Sequence, residues 1–262
     1  MLPSIMLFRY LCTSYSTPIM IEDLNNIKYT LFRDFKYARF FEKVQYNGKM
    51  LSDAERKKFV NVINETIALY TDALPIVYDV LKNSKDQYSE YHKIDYTVVS
   101  VMQFVFITMI DGMVASKYFI LADTDYEKRF MRGKLKVIIN EGFKKLYGFE
   151  KTTHEKSMWD SLLPILNRFS EEINLRYQEL TFLLEKQANS SSWWKKERDL
   201  ETHMDTEELY LYRMEEVIES KVIIDFSSLF STLLAVEDYL WEMHTCIYKY
   251  LALKLQKGEL TE

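Results

Sequence analysis

Apolar positions along this chain recur every three or four residues, the period of a helix that buries one face. No segment shows the alternation of a half-buried strand or the turn-rich spacing of a sheet protein. The first predicted helix runs from about Glu22 to Tyr46 and stops at Asn47-Gly48, a turn signal. The next opens at Ser52-Asp53-Ala54-Glu55, where the Ser hydroxyl and the Glu carboxylate can each satisfy an orphan amide. Val60, Ile63, Ile67 and Leu74 then recur at helical spacing, and Pro75 is expected to kink or end the helix. Asn83 to Ser89 reads as a polar loop.

A very apolar helix is predicted from about Ile94 to Ala122, interrupted by Asp111, Gly112 and Lys117. Those charges argue for a core helix rather than a membrane span. Asp123-Thr124-Asp125 caps the helix that follows, which ends at Tyr147-Gly148. Met131, Leu135, Ile138 and Leu146 line one face of it, while Lys128, Arg132 and Lys136 lie on another. From Lys128 to Lys145 there are seven basic residues and one acidic residue, a pattern that fits a solvated face or a phosphate track. Thr152-Thr153-His154-Glu155 is a second capping box, opening a helix through Trp159, Leu162, Leu166, Phe169 and Ile173 with a kink at Pro164. Ala188 to Ser192 reads as a linker. A third cap at Asp205, with Glu208 three residues on, starts a stretch free of Gly and Pro to Lys257. This stretch is one long helix or two with a bend at Ser227-Ser228.

Composition supports the same class. Among 262 residues there are only 6 Gly and 4 Pro, too few for the turns of a sheet-rich fold. The expectation is an all-α bundle of six or seven long, mostly antiparallel helices, forming one domain over residues 20–262. Residues 1–19 are an apolar extension, interrupted by Arg9, that lacks the basic start of a secretion signal. They are expected to be dispensable, with translation starting near Met20. Cys12 and Cys246 form no metal or disulfide spacing, which points to a cytoplasmic setting with no metal and no cofactor. The net charge of −5 argues against a protein coated with nucleic acid.

Candidate chemistry narrows to one place. The chain has no phosphate-binding glycine loop, no HExxH and no GxSxG, and its four histidines are scattered. Behind the linker and Trp193-Trp194 stand Arg198-Asp199 and, five residues after the arginine, His203. This spacing resembles the R-x4-6-H motif of the HEPN superfamily of helical nucleotide-binding domains, in which a polar residue commonly follows the arginine. The resemblance implies a metal-independent endoribonuclease or an RNA- or nucleotide-binding protein, in a toxin or defence role. Arg198, Asp199 and His203 would form the catalytic set, in a homodimer that brings two motifs together. The chemistry is sound: a neutral imidazole accepts the ribose hydroxyl proton, and a guanidinium steadies the phosphate charge. On a regular helix the spacing separates the two side chains by about 140°, so convergence needs a distortion or a partner. Nucleic-acid contacts would come from Lys128, Arg132, Lys136, Trp193 and Trp194. Against this, Trp193 to Lys221 holds five basic and nine acidic residues, a poor landing site for phosphates. The alternative is a non-enzymatic helical scaffold or interaction module, in which Arg198 pairs with a neighbouring acid.

Overall fold

The computed structural model describes residues 51–85, 90–148, 157–190 and 217–256, together with Leu200, Leu211 and Met214. The described part is all-α, 91% helical and without strands. It comprises α1 (Asp53–Lys85), α2 (Glu90–Leu121), α3 (Asp125–Leu146), a 3-10 helix (Asp160–Arg168), α4 (Glu171–Ser190) and α5 (Glu219–Gln256). The helix predicted at 22–46, the extension 1–19 and the Thr152–Glu155 box lie outside the described residues.

Local signals set most of the ends. The Ser52 amide donates to Glu55 Oε2 at 2.8 Å and the Glu55 amide to Ser52 Oγ at 3.4 Å, completing the first box. Thr124 and Glu127 form the corresponding box on α3. That helix closes at Gly148, whose φ of +85° suits a residue without a Cβ and whose amide reaches Lys144 O at 2.9 Å.

Four expectations change. Pro75 does not end α1, which runs on to Lys85 as a single helix of 33 residues. The helix expected across Pro164 is instead a 3-10 helix that includes the proline, and the chain breaks at Phe169-Ser170. There the Ser170 hydroxyl takes the Ile173 amide and starts α4 afresh, because a side-chain cap offers an alternative to continuation. The last stretch does not break at Ser227, whose hydroxyl bonds back to Ile223 O at 2.7 Å within a helix continuous over 38 residues; the non-helical residues fall earlier, at Val217 and Ile218, so that helix starts at Glu219 rather than near Asp205. The first residues of the linker expected at Ala188 to Ser192 are helical, since α4 extends to Ser190, and the rest lie outside the described residues.

α2 is the centre of the bundle. It packs against α1, α3, α5 and the 3-10 helix. Cross-helix pairs fix the directions: Arg56 meets both Ile120 O and Glu219, Tyr70 meets both Phe106 and Glu237, and Asp95 meets His244. α1 and α5 therefore run parallel to each other and antiparallel to α2. α3 folds back on α2, closely enough at Gly142 that a Cβ there would lie 2.5 Å from Thr108 Cγ2. One continuous apolar core joins all these elements, including the fully buried Phe59, Phe106, Phe119, Trp159 and Tyr239. α4 docks on α5 through Tyr177, whose ring centre lies 6.3 Å from that of Tyr239, and through Arg176, which pairs with both Asp238 and Glu242; Tyr177 also stacks on Trp159 ahead of the 3-10 helix, 4.7 Å between ring centres.

Candidate functional site

Polar groups tie α5 to the helices around it at three levels. At one end the Glu219 carboxylate is gripped by Arg56 at 2.7 and 3.0 Å and by Lys128 at 2.9 Å. Arg56 also donates to Leu51 O and Ile120 O, so one guanidinium ties α1, α2 and α5 while Lys128 adds α3. Burial pushes the Glu219 carboxyl up, but the Lys128 hydrogen bond and the two positive charges outweigh it and hold its pKa below the usual value. In the middle, Tyr70 donates to Glu237 in a fully buried pair. Burial raises Glu237 to about 7 against the lowering hydrogen bonds from Tyr70 and Trp241. At the far end His244 Nδ1 lies 2.7 Å from Asp95 Oδ1, both groups buried. The His244 ring also meets Tyr248 edge-on at 4.5 Å. Each pair bonds inward, helix to helix, which is how buried charges are made tolerable.

The row Lys128, Arg132 and Lys136 is not a solvated face. All three are buried, at 7%, 6% and 7% exposure, and the row continues to the fully buried Asn140. Their i, i+4 spacing is helical, as the pattern required, but that side of α3 turns into the bundle toward the start of α5. Lys128 is engaged by Glu219, and Lys136 lowers the Asp225 carboxyl, which burial nonetheless holds above its ordinary value. Placed so, these residues present no surface track for phosphates. Among the described residues, neither polar atom of the Asn140 amide has a hydrogen-bond partner. The remaining residues of the sequence motif, Arg198, Asp199, His203, Trp193 and Trp194, lie outside the described residues.

A different feature faces outward. Among the described residues, with α1, α3 and α5 packed around it, α2 keeps one exposed edge, formed by Ile107, Asp111, Val114, Tyr118 and Leu121. Their spacing of four, three, four and three residues is that of a seam between two helices. Ile107 is 42% exposed, Val114 36%, Tyr118 54% and Leu121 49%. Partial burial raises the Asp111 carboxyl, and among the described residues no cation reaches ion-pair distance of it. The Lys117 ammonium sits 5.8 Å from the centre of the Tyr118 ring. The 4-3-4-3 spacing is present in the sequence. It was not separable there because α2 is apolar nearly all round, and only the placement of its neighbours exposes one edge. By length and composition His92–Leu121 could also cross a membrane. No family model, curated protein or solved structure matches the chain.

Proposed function

We propose that this protein is a non-enzymatic helical interaction module that binds another helix along the outward edge of α2. The observation that carries this is the exposed Ile107–Val114–Tyr118–Leu121 strip on the central helix of the bundle. A run of apolar side chains at seam spacing marks an association surface. The internal pairs of Glu219, Glu237 and Asp95 agree with it, since their hydrogen-bonding capacity serves to join helices.

A second reading rests on Arg198-Asp199 and His203, whose spacing resembles a metal-independent ribonuclease motif. One set of measurements separates the two. Single-stranded RNA incubated with the protein in EDTA is expected to stay intact. Val114→Gln and Tyr118→Gln, measured at concentrations that keep the chain monomeric, are each expected to change unfolding free energy by no more than about 0.5 kcal/mol, as surface positions do. RNA cleavage that His203→Ala abolishes would establish the ribonuclease instead. A loss above about 2 kcal/mol in either strip variant would mean that the strip belongs to the core.

A further inference from the structure

We infer that α4 carries a second docking face whose partner is a basic amphipathic helix of another protein, laid along Leu175 and Phe182 with its lysines or arginines beside the α4 carboxylates. This face lies on a different helix from the outward edge of α2 and stands independently of that reading.

Helical spacing lays out the face. The side of α4 that carries Ile173, Tyr177, Leu180 and Leu184 is buried in the bundle. On the opposite side Leu175 and Phe182 stand seven positions apart, two turns of helix and about 10 Å of rise. Phe182 is 69% exposed and Leu175 54%. Glu171 and Glu185 flank this ridge on one side, with Gln178 between them at the same interval of seven. Glu172, Glu179 and Lys186 flank it on the other, again seven apart. All six flanking residues are exposed. An apolar ridge between two polar rows is the pattern by which one helix recognises another. The apolar residues supply contact, and the charges in the rows select the partner.

Charge decides the occupant. The face carries four carboxylates and one ammonium, that of Lys186. Arg176, the other cation of α4, is turned to Asp238 and Glu242 on α5. A fitting partner therefore brings positive charge to both sides of its own apolar stripe. Nucleic acid, with its phosphates, is repelled. So is the anionic surface of a membrane. A second copy presenting the same face would set four carboxylates against four, with one lysine from each to offset them.

The probe is a designed helical peptide of about 20 residues, long enough to hold a helix, with leucines on one face and lysines on both flanks of it. A twin with glutamates in place of the lysines is the charge control. Fluorescence anisotropy with the full-length protein is expected to show saturable binding of the lysine peptide and none of its twin. The binding should weaken as salt rises from about 50 to 500 mM. Phe182→Gln should weaken it by about tenfold or more, as loss of an aromatic anchor does. Ile224→Gln, which removes an apolar side chain 50% exposed on α5, should leave it within about twofold. The pair Glu172→Lys and Glu179→Lys should transfer the preference to the glutamate peptide. Thermal melts of each variant should match the wild type, since every substitution sits at an exposed position. Four results overturn the inference: no binding of the lysine peptide, binding that Phe182→Gln leaves intact, a charge-exchanged variant that still prefers the lysine peptide, or self-association of the wild-type chain that Phe182→Gln abolishes. None of them bears on the α2 edge, whose own variants test it separately.

Discussion

At the scale of single residues, Glu237 makes the sharpest statement. Its buried carboxyl titrates at about 7, while an unperturbed glutamate titrates at about 4.5. Between these values the folded chain holds a proton that the unfolded chain has released. Rising pH therefore favours unfolding across that window. The stability this group supplies is complete below about 4.5 and is lost as pH climbs to about 7. Glu219 works in the opposite sense: its lowered pKa supplies stability above the usual carboxylate range that disappears in acid. Comparing wild type with Glu237→Gln by urea titration isolates the first effect. The wild-type curve should lose on the order of 3 kcal/mol relative to the variant between pH 4.5 and 7. Parallel curves would show that Glu237 ionises normally in the fold.

At the scale of elements, the close approach of α2 and α3 sets a second test. Replacing a glycine inside a helix by alanine ordinarily gains about 1 kcal/mol. At Gly142 the new Cβ would stand 2.5 Å from Thr108 Cγ2. The Thr108 side chain is held by its hydroxyl bond to Phe104 O at 2.9 Å. Overpacking of this kind costs about 1–3 kcal/mol, so Gly142→Ala should destabilise the protein. Thr108→Ser, which removes the clashing methyl and keeps the hydroxyl, should recover the loss in the double variant. An alanine variant more stable than wild type would mean that α2 and α3 sit farther apart. The break at Ser170 and the continuity at Ser227 belong to the same scale. Both are serine hydroxyls bonding to the backbone: one accepts an amide and starts a helix, and the other donates to a carbonyl within one.

At the scale of the whole molecule, the proposed binding of another helix along α2 would couple stability to the concentration of that partner. A partner that binds only the folded chain raises its melting temperature as protein concentration rises. For a partner that is a second copy of the chain, the wild-type melting temperature should therefore climb as protein concentration is raised, and Val114→Arg, which puts a charge in the exposed strip, should flatten the dependence. A wild-type melting temperature independent of protein concentration would argue against a second copy as the partner. The bundle itself is held by core contacts and by the Glu219, Glu237 and Asp95 pairs, so it should remain folded in the variant.

The sequence by itself determined the class of the fold and many of its boundaries. Helical periodicity, the boxes at Ser52 and Thr124 and the glycine at 148 act within a few residues, so their consequences are written locally. The wider reading of function went less far, because Arg198, Asp199 and His203 lie outside the described residues. Tertiary structure alone decided which faces meet. Spacing showed that Lys128, Arg132 and Lys136 share a side of a helix, but not that this side turns inward toward a glutamate 91 positions later. Asp95 finds His244 across 149 residues and Tyr70 finds Glu237 across 167, contacts that no local pattern encodes. The outward edge of α2 was decided in the same way. A helix apolar on nearly every side does not say which side its neighbours will leave open, because burial is a property of the packed assembly of helices.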